Sequence, residues 1–303
     1  MPPHPRASCT GLNSVLGSNT HSAQGVCPAF SGQVPLHRVN HQHPRCYGRL
    51  SRSRATSSPS YLEIVKMAWR SSGTSNAELV ENMWRNGLLK NAEVKEAFLK
   101  VDRAHYAPSF PYDDSPQPIG HAATISAPHM HASAVEHLLP YVRPTDESGP
   151  RPAPRVLDIG SGSGYLTHVL AELVGPRGLV VGVEHIVELR DLGEKNVGKS
   201  ERGRELLRGG RVRFRVGDGR KGWVEPGEEG SKWDAIHVGA AAAEVHPPLL
   251  EQLNSPGRMF IPVDDEGGWS QHVWCIDKDA EGKVTQKKLF GVRYVPLTDA
   301  PRH

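Results

Sequence analysis

Between residues 155 and 263 short apolar runs alternate with helical patterns. Val156, Leu157 and Ile159 form a buried-strand run, and Gly160, Gly162 and Gly164 break it. From Tyr165 to Val174 the apolar positions Leu166, Val169, Leu170 and Leu173 then recur on one helical face. The pattern predicts strand, tight turn and helix. Gly178–Glu184 reads as a second strand, Arg211–Val216 as a third and Lys232–Gly239 as a fourth. A helix is predicted over Pro247–Leu253, a turn over Asn254–Arg258 and a fifth strand over Met259–Val263. Gln271–Ile276 and Lys287–Tyr294 alternate across a polar turn and read as a hairpin. This alternation predicts an α/β, doubly wound, Rossmann-like sheet with an antiparallel C-terminal edge.

Upstream, residues 67–150 read as a helical subregion. Ser75-Asn76-Ala77-Glu78 resembles a capping box, and Leu79, Val80, Met83 and Trp84 follow at helical spacing until Gly87. A second helix is expected from Asn91 to about Val101, then a Pro-rich loop to Ile119 and a further helix over Ala132–Leu139. The polar segment 145–154 reads as a surface linker, and 198–210 as an expanded loop.

The strand ends carry the candidate chemistry. Glycine at a strand-to-helix turn lets the backbone turn sharply and a ligand approach it. A dinucleotide fingerprint wants G-x-G-x-x-G, whereas this chain has Gly160-x-Gly162-x-Gly164 with Asp158 just before it. A carboxylate there would repel a pyrophosphate and suit an ammonium or sulfonium group, which points to S-adenosylmethionine. Glu184 lies 20 residues after Gly164, the spacing at which an acid grips ribose hydroxyls. Asp218, at the third strand end, would accept from an adenine amino group. Three successive strand ends carrying acids favour an adenosyl ligand over three solvated residues.

Charge and cysteine content narrow the partners. The whole chain carries +3 and residues 1–66 carry +6, which leaves −3 for 67–303. A basic nucleic-acid groove is therefore not expected. Cys9, Cys27, Cys46 and Cys275 show no metal spacing and no disulfide framework, and Cys275 sits in an apolar strand pattern. We expect no metal, a reducing compartment, and no membrane association. Residues 1–66, rich in Ser, Pro, Arg and His, are expected to be a disordered extension preceding the domain at 67–303. They read as a dispensable tail, an upstream stretch before a start at Met67, or a mitochondrial presequence. A cytoplasmic monomer is expected, with a mitochondrial location as the alternative.

One loop is hard to explain as scaffold. Gly120–Ala132 packs Thr124, Ser126, His129 and His131 before a helix start, a donor-rich setting suited to a carboxylate. The blander account is a capped helix with surface histidines. With this loop the chain resembles the protein-L-isoaspartate (D-aspartate) O-methyltransferases. The resemblance rests on Asp102-Arg103-Ala104-His105-Tyr106, on Tyr112-Asp113-Asp114-Ser115-Pro116-Gln117, and on Ala123-Thr124-Ile125-Ser126-Ala127-Pro128-His129-Met130-His131. It extends to Leu157–Gly164, Val216–Arg220, Asp234–Ala242 and Val295–Asp299, so it spans essentially 67–300.

The resemblance implies a methyltransferase-type sheet that binds S-adenosylmethionine. It implies methyl transfer to the free carboxylate of L-isoaspartyl, or D-aspartyl, residues in damaged proteins and peptides, with repair through a succinimide. By resemblance Ser126 is the catalytic serine, with Ala123, Thr124 and Ile125 beside it. His131, Ser163, Glu184, Gly219, Arg220 and Thr298 would line the adenosyl site together with Asp158, Gly160, Gly162 and Asp218. His121 and Ala122 replace the usual Phe-Gln, and Glu184 the usual Asp. Rival readings remain: a nucleic-acid methyltransferase, which should show a basic face; an NAD-dependent dehydrogenase, which needs the absent glycine spacing; and a non-catalytic binder, in which Ser126 could be removed without effect.

Overall fold

The two faces of the strand at 155–159 are buried in different cores, and this decides the architecture. In the computed structural model, which describes residues 71–144, 153–265, 267–268 and 270–298, β3 (Arg155–Ile159) follows a two-stranded hairpin. That hairpin pairs β1 (Gln117–Gly120) with β2 (Ala123–Ile125). On one side Val156 packs with the helices α1 (Asn76–Arg85), α2 (Ala92–Lys100), α3 (Pro128–Val142) and α4 (Tyr165–Leu173). On the other, Leu157 and Ile159 pack with Trp233, Leu249 and Met259. A strand buried on both faces reads as a continuous apolar run.

Seven strands follow the order β5-β4-β3-β6-β7-β8-β9. Here β4 is Leu179–Glu184, β5 Val212–Val216, β6 Trp233–Val238, β7 Leu253–Asp264, β8 Gln271–Lys278 and β9 Val284–Val292. The first five pair in parallel, and β8 and β9 close the sheet antiparallel. The chain leaves β3 for β4 on one side and returns to β6 on the other. That reversal is the topological switch point, where such sheets bind ligands.

Local chemistry accounts for the elements. The Ser75 hydroxyl accepts from the Glu78 amide and caps α1, while Glu78 reaches back to Thr74. Gly87, at φ 72°, ends the turn beyond α1. Gly164, at φ 82°, heads α4, where a Cβ would lie 2.8 Å from the Gly193 carbonyl of α5 (Val187–Val197). Only glycine permits that packing of α4 on α5.

The structure corrects three sequence expectations. Residues 201–208 form a helix, α6 (Glu201–Arg208), inside the expected loop. It buries a single large apolar side chain, Leu206, and pairs Arg204 with Glu201 and Arg202 with Glu205, so its apolar period was too thin to read. The expected turn at Asn254–Arg258 is a bulge within β7. Between paired positions β6 advances from Trp233 to Ala235 while β7 advances from Leu253 to Arg258. Finally, α3 begins at Pro128, four residues before the expected start, since proline is suited to a first helical position. A short helix α7 (Pro247–Gln252) matches expectation. The expectations for residues 1–66 and for most of the 145–154 linker lie outside the described residues.

Candidate active site

The carboxyl ends of β3, β4, β5 and β6 open on a cavity of about 260 Å³. A narrower recess of about 30 Å³ adjoins it and shares Thr124, Gly160, Gly162 and Gly239. Of the residues singled out in the sequence, Ala123, Thr124, Gly160, Gly162, Glu184, Gly219 and Thr298 line the larger space. Ile125, Ser126, His131, Asp158 and Ser163 line the recess. Asp218 and Arg220 line neither; they stand at the adjacent β5 end, bonded to each other.

Glycine sets the shape of the cradle. Gly160 and Gly162 have φ of 73° and 50°, a region that costs other residues about 1–2 kcal/mol. A Cβ on Gly219 would lie 2.3 Å from Ile159 Cγ2, and one on Gly239 would lie 3.0 Å from the Gly160 carbonyl. The cavity walls therefore include bare backbone.

Two buried acids flank the turn in different ways. Glu184, 4 % exposed, accepts from the amides of Gly162 (3.0 Å), His185 (2.8 Å) and Ile186 (3.2 Å). It pins the glycine turn to the end of β4. Asp158, 1 % exposed, accepts from the Thr167 hydroxyl at 2.6 Å and lies 2.7 Å from His237 Nδ1. It forms the floor of the recess. The third acid, Asp218, takes Arg220 in a two-pronged bond at 2.9 Å on each oxygen. That guanidinium holds its carboxyl below the usual range.

The loop at 123–131 supplies hydroxyls and a neutral imidazole. Ser126 does not cap α3: the N-cap is Ala127, whose side chain has no bond to give. Asp114 instead accepts from the His129 amide at 2.9 Å, within the first turn of α3. The Ser126 hydroxyl is bonded to the Tyr294 hydroxyl, and burial pushes that phenol up to about 12. Burial and the neighbouring Arg103 hold His131 well below its ordinary pKa. Its Nδ1 faces Arg103 Nη1 at 3.5 Å, and an arginine can only donate, so Nε2 carries the proton.

Sequence reading missed four groups here. His237 stands in register with Asp158 across β3 and β6, and its signal was a histidine in an otherwise apolar strand. Arg103 is fully buried, within a run that the sequence marked only as a family-like motif and to which it gave no role. Tyr294 and Leu297 come from a C-terminal segment held by Gln271 and by bonds between Ala241 and both Val295 and Leu297. The family-like run Val295–Asp299 marked the segment and Thr298 in it, but no local pattern marks Tyr294 or the return to Ala241. His121 and Ala122 line the cavity as the hairpin tip, with φ of 50° and 55°. Among the described residues no group of His, Cys, Asp or Glu stands close enough to hold a metal, and no helix is long and apolar enough to cross a membrane.

A doubly wound sheet with a glycine-lined, acid-flanked crevice at its switch point defines a class: α/β proteins that bind a nucleoside-bearing ligand at their strand ends. Comparison with known proteins narrows it. The family model for Protein-L-isoaspartate(D-aspartate) O-methyltransferase matches residues 74–302. A Triticum aestivum protein-L-isoaspartate O-methyltransferase is 48 % identical over 68 % of this chain and 83 % of its own length. One from Caenorhabditis elegans is 44 % identical over 77 % and 96 %. A Plasmodium falciparum crystal structure named for the same enzyme, in complex with S-adenosyl-L-homocysteine, is 31 % identical, with a TM-score of 0.66. The match covers 75 % of this chain and 99 % of that one. The chain belongs to the protein-L-isoaspartate (D-aspartate) O-methyltransferase family.

Proposed function

We propose that this chain transfers a methyl group from S-adenosylmethionine to the free carboxylate of L-isoaspartyl, and D-aspartyl, residues in proteins and peptides. The observation that carries the reading is the recess where Ser126, His131 and Asp158 meet the glycine turn. It joins a hydroxyl-lined acceptor position to a cradle suited to a cationic nucleoside ligand. The residues fit that ligand. Bare backbone at Gly160, Gly162, Gly219 and Gly239 allows close approach, and Glu184 presents a carboxylate held by backbone amides.

When bound, S-adenosylmethionine supplies an electrophilic methyl group on a sulfonium cation. Glu184 would accept from the ribose hydroxyls, and Asp158 would set negative charge near the cationic end. Ala123, Thr124, Ile125 and Thr298 would close the walls around the ligand, and Asp218 with Arg220 would stand toward its adenine end. Ser126 donates a hydrogen bond to the acceptor carboxylate and is the catalytic residue. That carboxylate is ionised at neutral pH, since its reference pKa is about 4. No general base is required. Alignment in a dry recess does most of the work; orientation alone can be worth effective molarities of about 10⁵ M.

The ester then closes to a succinimide, which reopens in part as normal aspartate. We further propose that the chain acts as a cytoplasmic monomer on proteins and peptides, not on nucleic acids or membranes. The −3 charge of residues 67–303 argues against a nucleic-acid substrate. A presequence role for 1–66 would instead send it to mitochondria. Residues 67–303 are proposed to carry the activity, so protein starting at Met67 should keep it. The deciding experiment uses radiolabelled S-adenosylmethionine and two peptides that differ only in an isoaspartyl or an aspartyl link. Base-labile methyl ester on the first alone is expected; equal labelling of both, or of neither, refutes the assignment.

A further inference from the structure

Arg103 is a fully buried cation to which the chemistry above assigns no part. Its Nη2 donates to the Ser126 carbonyl at 2.8 Å, and its Nη1 faces His131 Nδ1 at 3.5 Å. The guanidinium lies over the Tyr165 ring, 5.1 Å from the centroid, and its buried Nε has no partner. Among the described residues it forms no ion pair. Asp114 is close enough to act on it, but that carboxylate is engaged by the His129 amide and by His129 Nδ1 at 2.8 Å.

Taking an ion out of water is costly unless an opposite charge meets it. A neutral side chain of the same volume would fill this space without that cost. The guanidinium is instead anchored to the backbone of the catalytic serine, one residue from where an anion must sit. We propose that Arg103 is a positioning residue for the acceptor: acting through Ser126, its charge sets a positive potential behind the serine hydroxyl that selects a carboxylate over a neutral group. His131 is neutral and adds no competing charge. The same charge favours turnover. The methyl ester formed is neutral, so the attraction that seats the substrate does not hold the product.

The proposal rests on the isoaspartyl-carboxylate reading, and one assay separates the two. Full-length protein is given an isoaspartyl peptide, and an analogue whose acceptor carboxylate is a carboxamide serves as competitor. Wild-type protein that fails to methylate the isoaspartyl peptide sinks the functional reading itself. With wild-type active, three variants are compared. Arg103→Met removes the charge and the donor. Arg103→Gln removes the charge but keeps an N–H for the Ser126 carbonyl. Arg103→Lys keeps the charge.

The expected result is a rise of about tenfold or more in KM for the isoaspartyl peptide in both neutral variants, with kcat within about threefold, since a uniform-binding term is lost. Inhibition by the carboxamide and binding of S-adenosylhomocysteine should stay unchanged, and the lysine variant should remain near wild-type. A purely structural role predicts rescue by glutamine and equal loss for acid and amide. Either outcome overturns the proposal. So does loss of S-adenosylhomocysteine binding in both neutral variants, which would make Arg103 a scaffold for the whole site.

Discussion

Replacing Glu184 by glutamine probes the joint between the glycine turn and the sheet. One oxygen of Glu184 accepts from Gly162; the other accepts from His185 and Ile186. In Glu184→Gln one oxygen becomes an NH₂ group, which cannot accept. Turned the better way, the amide keeps His185 and Ile186 and sets its NH₂ against the Gly162 amide. A lost bond to a charged acceptor is worth about 1.5–3 kcal/mol, and an unpaired buried donor about 1–3 kcal/mol more. Relief of a desolvated charge offsets part of this, so a net loss of about 3 kcal/mol is expected. For a domain of this size that is about 6–12 °C in Tm. Affinity for S-adenosylhomocysteine should fall at least about tenfold, because the turn shifts and the ribose loses an ionic acceptor. Thermal unfolding and calorimetric titration measure both. A Tm within 2 °C of wild-type (a margin of about 1 kcal/mol or less) together with unchanged affinity would refute the reasoning. Glu184→Asp, which keeps the charge but shortens the reach, should lie between the two.

Three more outcomes are expected. Ser126→Ala should lower kcat about tenfold or more, the worth of one hydrogen bond to a charged group. Its stability should fall by no more than about 1–3 kcal/mol, the cost of leaving the Tyr294 hydroxyl without its Ser126 partner, because Ser126 caps nothing else; an unchanged kcat would favour the non-catalytic binder. His168, buried and bonded to the Tyr106 hydroxyl, is held down to about 4 by burial, against about 6.5 when unfolded. Below pH 6.5 the unfolded chain takes a proton that the folded chain does not, so this group's contribution falls with pH. About 2 kcal/mol should be lost between pH 7 and pH 4.5, and His168→Gln should flatten that limb of the urea midpoint; an identical slope in the variant would count against it. Ala122→Gly should raise stability by about 1 kcal/mol, since Ala122 sits at φ 55°, and an unchanged or lower Tm would show that the hairpin tip is unstrained.

The strand–turn–helix at 155–174 was legible because its signals are local. An apolar run, three glycines and a 3.6-residue period lie within 20 residues, and the fold needs nothing distant to form them. The antiparallel edge was legible for the same reason. The helix at 201–208 was not, because charge pairs and a single buried leucine set it, and both leave little apolar rhythm.

For the site, sequence supplied the residue types and the order of the strand ends. Tertiary structure decided their partners. Asp158 reads as a carboxylate facing ligand, and packing sets it on Thr167 and His237, the latter delivered by a strand 79 positions away. Ser126 reads as either a helix cap or a catalytic group, and the register of α3 takes away the cap. Arg103 reads only as one member of a family-like motif, and packing buries it against Ser126 and His131. A sequence records which groups are available, whereas which charge meets which carbonyl depends on contacts that close only when the sheet and its covering helices are assembled.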